Sequence, residues 1–507
     1  MSPRLDTSRT EGTISITTKG WSLDDLINYS VQFRSVRRVS ATKLSPKELD
    51  HEITRFEKEG LPLIIEGYHQ REGWLKNEFG VGWLLQHGPQ DVRTRNVRDW
   101  TDGTMKTKEF FEYCRTASPY GTSAEPSRFY GKDVDCPQEW RKWLTGGGVV
   151  PSRLLEDNSE NFMSHLPIDD PVETLMCYFG IGDTFTPAHK DLCASTGHNL
   201  MCYTEKSGSS FWFMTESSAA PKVTKYFHDL GQELDLETHV VSLDEFSKAP
   251  FVIYIAEQKL GDLVLVPPRS CHQVVNHGGL TVKTSWSRMT LDGLKTAFYH
   301  ELPIYRRVCR PEIYRVKSIV HHSLRHYTRR LRSIFAGSET RFPTSSSRDV
   351  TAISRNTSTD TRSPTLCESR KCFQILSELL RLFDDILVEE YHPEHGKLEH
   401  VAPDSGNRLR WHHTCDFCGV DIFQSFFECR YCGSGSNEQG RVTGDGLIVC
   451  SSCYVEGRTC KCAHMTLAQR FNFDDLVEHR NEAARTLRAI APEKGLTELS
   501  LDGSWYV

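Results

Sequence analysis

Apolar positions recur every three to four residues between Leu44 and Gly60, which predicts an amphipathic helix opened by Ser45-Pro46 and ended by Gly60. The run Leu61-Pro-Leu-Ile-Ile65 then reads as a buried strand. Residues 66 to 170 mix helical and loop patterns, with Trp74, Trp83, Trp100, Trp140 and Trp143 as candidate core anchors. Between 172 and 290 the period changes. Short β-branched and aromatic runs, broken by Gly, Asp and Pro, give at least six strands: 175–179, 199–203, 210–214, 251–255, 263–266 and 281–286. That many strands at such spacing predicts a barrel or sandwich.

Helical patterns return from Gly293 to about Phe335, in a stretch carrying ten Lys or Arg against two Glu. Such a stretch is either a nucleic-acid or chromatin-facing surface or a solvated face beside an acidic neighbour. Residues 336–366 are rich in Ser, Thr and Arg and poor in large apolar side chains, as a disordered linker would be. From Cys372 to Tyr391 the residues Ile375, Leu376, Leu379, Leu380, Phe383, Ile386 and Leu387 fall at helical spacing, and a last helix is predicted from Phe473 to Ala491. The resulting division is a disordered or extended segment (1–43), a helix-and-strand part (44–170), a barrel with its basic helices (171–335), the linker (336–366), a helix (367–400), a cysteine-rich module (410–466) and a C-terminal helix and tail (467–507). The fold class is α+β.

A net charge of −6 over 507 residues says little about partners. No apolar run reaches the roughly 18 residues a membrane helix needs, so no membrane association is expected. The polar N-terminus lacks the apolar core of a secretory signal. Of 17 cysteines, eight crowd into 415–462 and the rest are scattered singly, as in a reducing intracellular compartment.

Two segments carry metal chemistry. Thr184-Phe-Thr-Pro-Ala-His189-Lys-Asp191 follows a strand and Gly180-Ile-Gly182. Gly261-Asp-Leu-Val-Leu-Val-Pro-Pro-Arg-Ser-Cys-His272 supplies a distant histidine four residues after Pro268. On a strand, alternate residues share a face, so His189 and Asp191 would point the same way. Two imidazoles and one carboxylate on one face of Fe(II) leave three positions open. Chance alone supplies about three His-x-acid triplets in a chain with 21 His and 67 acids, and His392-Pro-Glu394 is a decoy outside any strand pattern. Strand context and order single out the first.

With that context, residues 170–290 resemble the JmjC domain of Fe(II)- and 2-oxoglutarate-dependent oxygenases, a double-stranded β-helix (jelly roll or cupin). The strand through His272-Gln-Val-Val-Asn276 looks like the one that bears the family's third ligand. Gly60-Leu-Pro-Leu-Ile-Ile-Glu-Gly67 and Gly131-Lys-Asp-Val-Asp-Cys-Pro-Gln-Glu-Trp140 are similar to the N-terminal part of JmjC demethylases, so the likeness covers about residues 50–335. The resemblance implies His189, Asp191 and His272 as iron ligands. It implies Thr186 and Lys206 as contacts to the distal carboxylate of 2-oxoglutarate, Asn199 as a polar wall, and Tyr178 and Phe185 as lining. In the family a tryptophan or similar residue usually follows the lysine closely, whereas here Ser207-Gly-Ser-Ser-Phe-Trp212 intervenes, which leaves Ser210 and Lys283 as alternatives to Lys206.

The cysteine cluster contains three Cys-x2-Cys pairs, 415/418, 429/432 and 450/453, followed by Cys460 and Cys462. Fewer than about one such pair is expected by chance, and eight thiolates suit two structural Zn²⁺ ions. The layout resembles a ZZ-type cross-braced finger, in which the first and third pairs hold one zinc and the second and fourth hold the other. His464 is a further candidate, with His412 and His413 as spares.

The resemblance implies an enzyme using Fe(II), 2-oxoglutarate and Zn²⁺, demethylating methyl-lysine on a histone or other protein tail in the nucleus, or alternatively the cytoplasm. Formaldehyde, succinate and CO2 would be its products. The same chemistry applied to stable hydroxylation of protein or RNA is the first alternative. A non-catalytic chromatin adaptor with a zinc reader is the second.

Overall fold

The computed structural model describes residues 16–122, 124–146, 148–339, 366–393, 395–400, 414–429, 431–432, 435–436, 442–443 and 447–491. The linker expected at 336–366, the tail beyond 491, Glu394 of the decoy triplet, and His412 and His413 lie largely or wholly outside them. The chain divides into two compact units, one formed by residues up to Ser164 with Val172–Ile304, the other by His165–Pro171 with Tyr305 onward.

In the first unit the alternating runs form eight barrel strands: β1 (Met176–Gly180), β2 (Phe185–His189), β3 (Thr196–Thr204), β4 (Ser209–Met214), β5 (Ile253–Gln258), β6 (Leu263–Val266), β7 (His272–His277) and β8 (Thr281–Arg288). They lie in two antiparallel sheets, ordered β6–β3–β8–β1 and β5–β4–β7–β2. This is the strand order of a jelly roll. All four residues of β6 are buried, which is why it reads as an unbroken apolar run.

Upstream strands extend both sheets, while β2 remains the outer strand of its own. Leu63–Glu66 pairs with β6 and Arg37–Ser40 with Leu63–Glu66, while Phe129–Asp135 pairs with β1 and continues into Asp91–Asn96 and Asp102–Lys106. Phe33–Ser35 runs parallel to β5. The segment expected to be disordered or extended to residue 43 thus contains a helix, Leu23–Tyr29, and two pairing strands from residue 16 onward. Its anchors are Thr18, whose amide and hydroxyl both donate to Asp183 at 2.6 and 2.7 Å, and Trp21, edge-on to Phe211 and Phe213.

Helix Pro46–Glu59 starts at a capping box of Ser45 and Glu48 and stops at Gly60, whose φ of 63° suits a residue without Cβ. Trp74, Trp140 and Trp143 meet edge-to-face around Phe79, and Trp83 stacks on Trp140. Trp100 stands apart from them, half-buried and stacked on Phe185 of β2.

In the second unit, helices Val316–Glu339, Leu366–Glu390 and Phe473–Ile490 pack on one another. Leu376, Leu379, Leu380, Phe383, Ile386 and Leu387 form the buried stripe and Ile375 lies half-buried beside it. Strand Ser425–Cys429 lies between Leu447–Cys450 and Thr466–Gln469, and Glu399–His400 pairs with the latter. The cysteine-rich module therefore runs on to residue 469 and takes in 399–400, beyond the boundaries expected at 410–466. Among the described residues, ion pairs in 293–335 join Lys295 to Asp292, Arg306 to Glu389, Arg315 to Asp170, Lys317 to Glu389 and Glu390, Arg330 to Glu368, and Arg332 to Glu482. Among the described residues no helix is long and apolar enough to cross a membrane.

Candidate metal centre and cosubstrate cavity

β2 ends at His189, and the backbone continues extended through Asp191 (φ −59°, ψ 146°), which caps the short turn Leu192–Ala194. Asp191 is thus two residues past the strand proper, and the alternation still turns it to the side of His189. His272 opens β7 directly opposite His189 in the antiparallel ladder, and the two rings lie 4.0 Å apart. One donor atom from each of His189, Asp191 and His272 falls within 4.8 Å of the others, with His272 Nε2 at 3.8 Å from Asp191 Oδ1.

The donors are prepared for a cation. His189 Nδ1 meets the Pro187 carbonyl at 2.8 Å and His272 Nδ1 meets the Ser270 carbonyl at 3.1 Å. A carbonyl can only accept, so each Nδ1 carries the proton and each Nε2 offers its lone pair. Asp191 Oδ2 is buried with no hydrogen-bond partner among the described residues. A buried carboxylate oxygen left so is costly unless a cation meets it. Gly197 makes room for it, since a Cβ there would collide with that oxygen. Trp212 stacks over His272 at 6.0 Å and donates from Nε1 to Gln258.

The triad faces a cavity of about 90 Å³ lined also by Tyr130, Tyr178, Thr186, Asn199, Trp212, Val274, Lys283 and Ser285. At its floor Lys283 of β8 is 1% exposed and donates to Asn276 Oδ1 at 2.7 Å and Ser210 Oγ at 3.0 Å. Asn276 in turn donates to Thr184 Oγ1 at 2.8 Å. These partners are all neutral, and burial pushes the Lys283 ammonium down to about 7. A desolvated cation without a counter-charge is a ready receptor for a carboxylate.

Lys206, expected to fill that role, does not line the cavity. It sits in the β3–β4 turn with φ 48°, exposed to solvent, and its ammonium donates to the Arg115 carbonyl at 2.9 Å. The residues that separate it from Trp212 form the turn and the start of β4, and Lys283 on the facing sheet reaches the space instead. Of the other expected residues, Thr186, Asn199 and Tyr178 do line the cavity. Asn199 Oδ1 accepts from Gln258 at 3.1 Å, and the Tyr178 hydroxyl donates to Asp133 at 2.8 Å. Phe185 lies in the core behind, against Trp100.

Tyr130 and Ser285 carried no motif, and Asn276 and Trp212 stood in segments that gave them no role of their own. Asn276 could have been found from β7 itself, as it follows His272 by four residues and alternate residues share a face. Tyr130 could not, because it comes from a strand outside the barrel; it is buried, which pushes its hydroxyl well above the usual tyrosine range.

In the second unit the thiols gather as two sets, Cys415, Cys418, Cys450 and Cys453, and Cys429, Cys432, Cys460 and Cys462, each with its sulfurs within 4.8 Å. First pair joins third and second joins fourth, the cross-brace that the likeness to a ZZ-type finger implied. The turn at Gly419 (φ 71°) brings Cys415 and Cys418 together, and Cys450 Sγ caps helix Ser451–Val455. His464 belongs to neither set; its ring leans on Tyr431. Eight sulfurs in two tetrads match the donor set of two structural zinc ions.

Residues 176–287 match the family model described as "JmjC domain, hydroxylase". The eight barrel strands, β8 as far as Ser287, and the His189, Asp191 and His272 set lie within the segment that is similar to that family. It is also similar to C-module-binding factor A of Dictyostelium discoideum, with 27% identity over 427 residues, covering 80% of this chain and 38% of that protein. The chain accordingly spans well under half the length of that relative.

Proposed function

We propose that this protein is an Fe(II)- and 2-oxoglutarate-dependent dioxygenase that demethylates methyl-lysine on a protein tail, with histone tails as the substrate and the nucleus as its place of work. The observation that carries the proposal is the convergence of His189, Asp191 and His272 on one point in a cavity floored by the unneutralised Lys283. Bound Fe(II) with 2-oxoglutarate supplies the oxidising chemistry, consuming dioxygen and yielding succinate and CO2. The protein's part is positional. His189, Asp191 and His272 would hold the metal, and Lys283, with Thr186 and Asn199 nearby, would hold the distal carboxylate of the cosubstrate.

A methylated ammonium is supported by the lining of the cavity. Tyr130 and Tyr178 present aromatic rings, and Tyr178 donates to the Asp133 carboxylate beside them. Rings and an acid suit a soft cation. Trp212 and Val274 line the cavity and limit water around the reacting carbon.

A second proposal keeps the chemistry and leaves a stable hydroxyl on protein or RNA, as the description of the matched family favours. Turnover of methylated histone peptides, scored by mass and by formaldehyde, separates the two. Loss of a methyl mass with equimolar formaldehyde is expected. A gain of one oxygen without formaldehyde would sink demethylation.

A further inference from the structure

The residue between the two neighbouring metal-ligand candidates is Lys190. Alternation turns its side chain away from the metal-facing side and into the protein, where it is 2% exposed. There its ammonium reaches Glu301 Oε2 at 2.8 Å and lies 3.2 Å from Asp235, both carboxylates being as buried as the lysine. The other oxygen of Glu301 accepts from Arg269 Nε at 2.8 Å. Arg269 precedes His272 by three residues in the turn whose Ser270 carbonyl holds the His272 ring. One carboxylate therefore ties the loop that carries His189 and Asp191 to the loop that carries His272.

The surroundings argue that this tie has work to do. Both loops hold non-glycine residues in the left-handed region, Cys193 and Ala194 (φ 52° and 51°) after Asp191 and Arg269 itself (φ 62°) before His272. Such conformations persist only where the structure around them enforces them. Glu301 ends a π-helical turn, Ala297–Glu301, a geometry that is rare in helices and gathers at functional sites. Two cations and two anions balance, so the cluster has no net charge to offer a ligand, which leaves a positional role.

We infer that Glu301, bridging Lys190 and Arg269, is a positioning residue that sets the spacing of the metal triad. The inference rests on the metal centre proposed above. Mn(II) is a suitable probe, since its oxygen and nitrogen preference leaves zinc-filled thiolate sites alone. Full-length, zinc-replete protein is titrated with Mn(II) and the free ion followed by its paramagnetic resonance signal. Melting of the metal-free protein is measured alongside.

Two variants cut the tie at opposite ends. Arg269→Gln changes its partly exposed end, and the double variant Lys190→Met with Asp235→Asn removes one charge of each sign and leaves Arg269 on Glu301. Both should melt close to the parent and bind Mn(II) about 10- to 100-fold more weakly, the usual cost of losing a group that orients metal ligands. Arg269→Lys should recover part of the affinity. Parent-like Mn(II) binding by either variant, once folded, would overturn the inference while leaving the metal centre standing. A parent protein that bound no Mn(II), or bound it equally after His189→Ala, would instead remove the metal centre itself.

Discussion

The two candidate metal-binding regions of this protein are built on opposite plans. In the barrel the three donors come from positions up to 83 residues apart, and the fold brings them together: β2 and β7 pair His189 against His272, and carbonyls of Pro187 and Ser270 fix the rings. In the cysteine module the donors are close in sequence, and they are much of the core. Cys415, Cys418, Cys450 and Cys453 stand in its buried cluster beside, among the described residues, Val420, Ile422, Phe426, Val449 and Ala468. A centre that the fold prepares should survive loss of its metal; a core made of ligands should not.

The sharpest test of that contrast is metal removal. Stripping zinc should unfold the cysteine module, because structural zinc contributes on the order of 10 kcal/mol of binding energy to folding. Limited proteolysis should then cut within 415–469 and leave the barrel intact, and a module that stayed resistant would break the comparison. Conversely, Asp191→Ala should abolish turnover and shift the melting of the metal-free barrel by no more than about 3 °C. A large drop would mean that the barrel too leans on its metal.

Smaller effects sharpen the picture of the cavity. Lys283→Met should raise the KM for 2-oxoglutarate by about two orders of magnitude, as expected for the loss of a buried charge-assisted contact, whereas Lys206→Ala should leave it unchanged. Equal effects would contradict the placement of the two lysines. Gly197→Ala should weaken metal binding by displacing the Asp191 carboxylate, with little change in peptide affinity at saturating metal.

Lys283 also gives a pH dependence. Its folded value near 7 lies below the usual lysine value, so above pH 7 the free site holds a neutral amine. A bound carboxylate favours the charged form, so binding above pH 7 must take up a proton. The dissociation constant should be flat below pH 7 and rise by up to about tenfold per unit above it. Calorimetry in buffers of different ionisation heat should show uptake approaching one proton near pH 8.5. No uptake there would mean that the lysine is already charged.

Much of this was legible in the chain. The Ser45–Glu48 capping box and Gly60 mark their helix because local hydrogen bonding decides both ends. Spacing marked the eight cysteines as two zinc sites, and the likeness to a ZZ-type finger implied the crossed pairing that the tetrads show. The order of His189, Asp191 and His272 after apolar strands pointed to one centre. What sequence could not give was register across sheets. Lys206 falls in the turn after β3, whereas Lys283 stands in β8 between β3 and β1, a placement that only the pairing of those strands decides. Residues 16–40 were hidden for another reason: their polar pattern conceals that Thr18 is spent on Asp183 and Trp21 on the barrel's aromatics.

The central claim, one Fe(II) held by His189, Asp191 and His272 beside a cosubstrate on Lys283, is tested most directly by succinate formation from 2-oxoglutarate without added substrate. Purified protein should produce succinate only with Fe(II), and the His189→Ala variant, folded to the same melting temperature, should produce none. Succinate formed equally by that variant, or no iron-dependent succinate from the parent, would contradict the account.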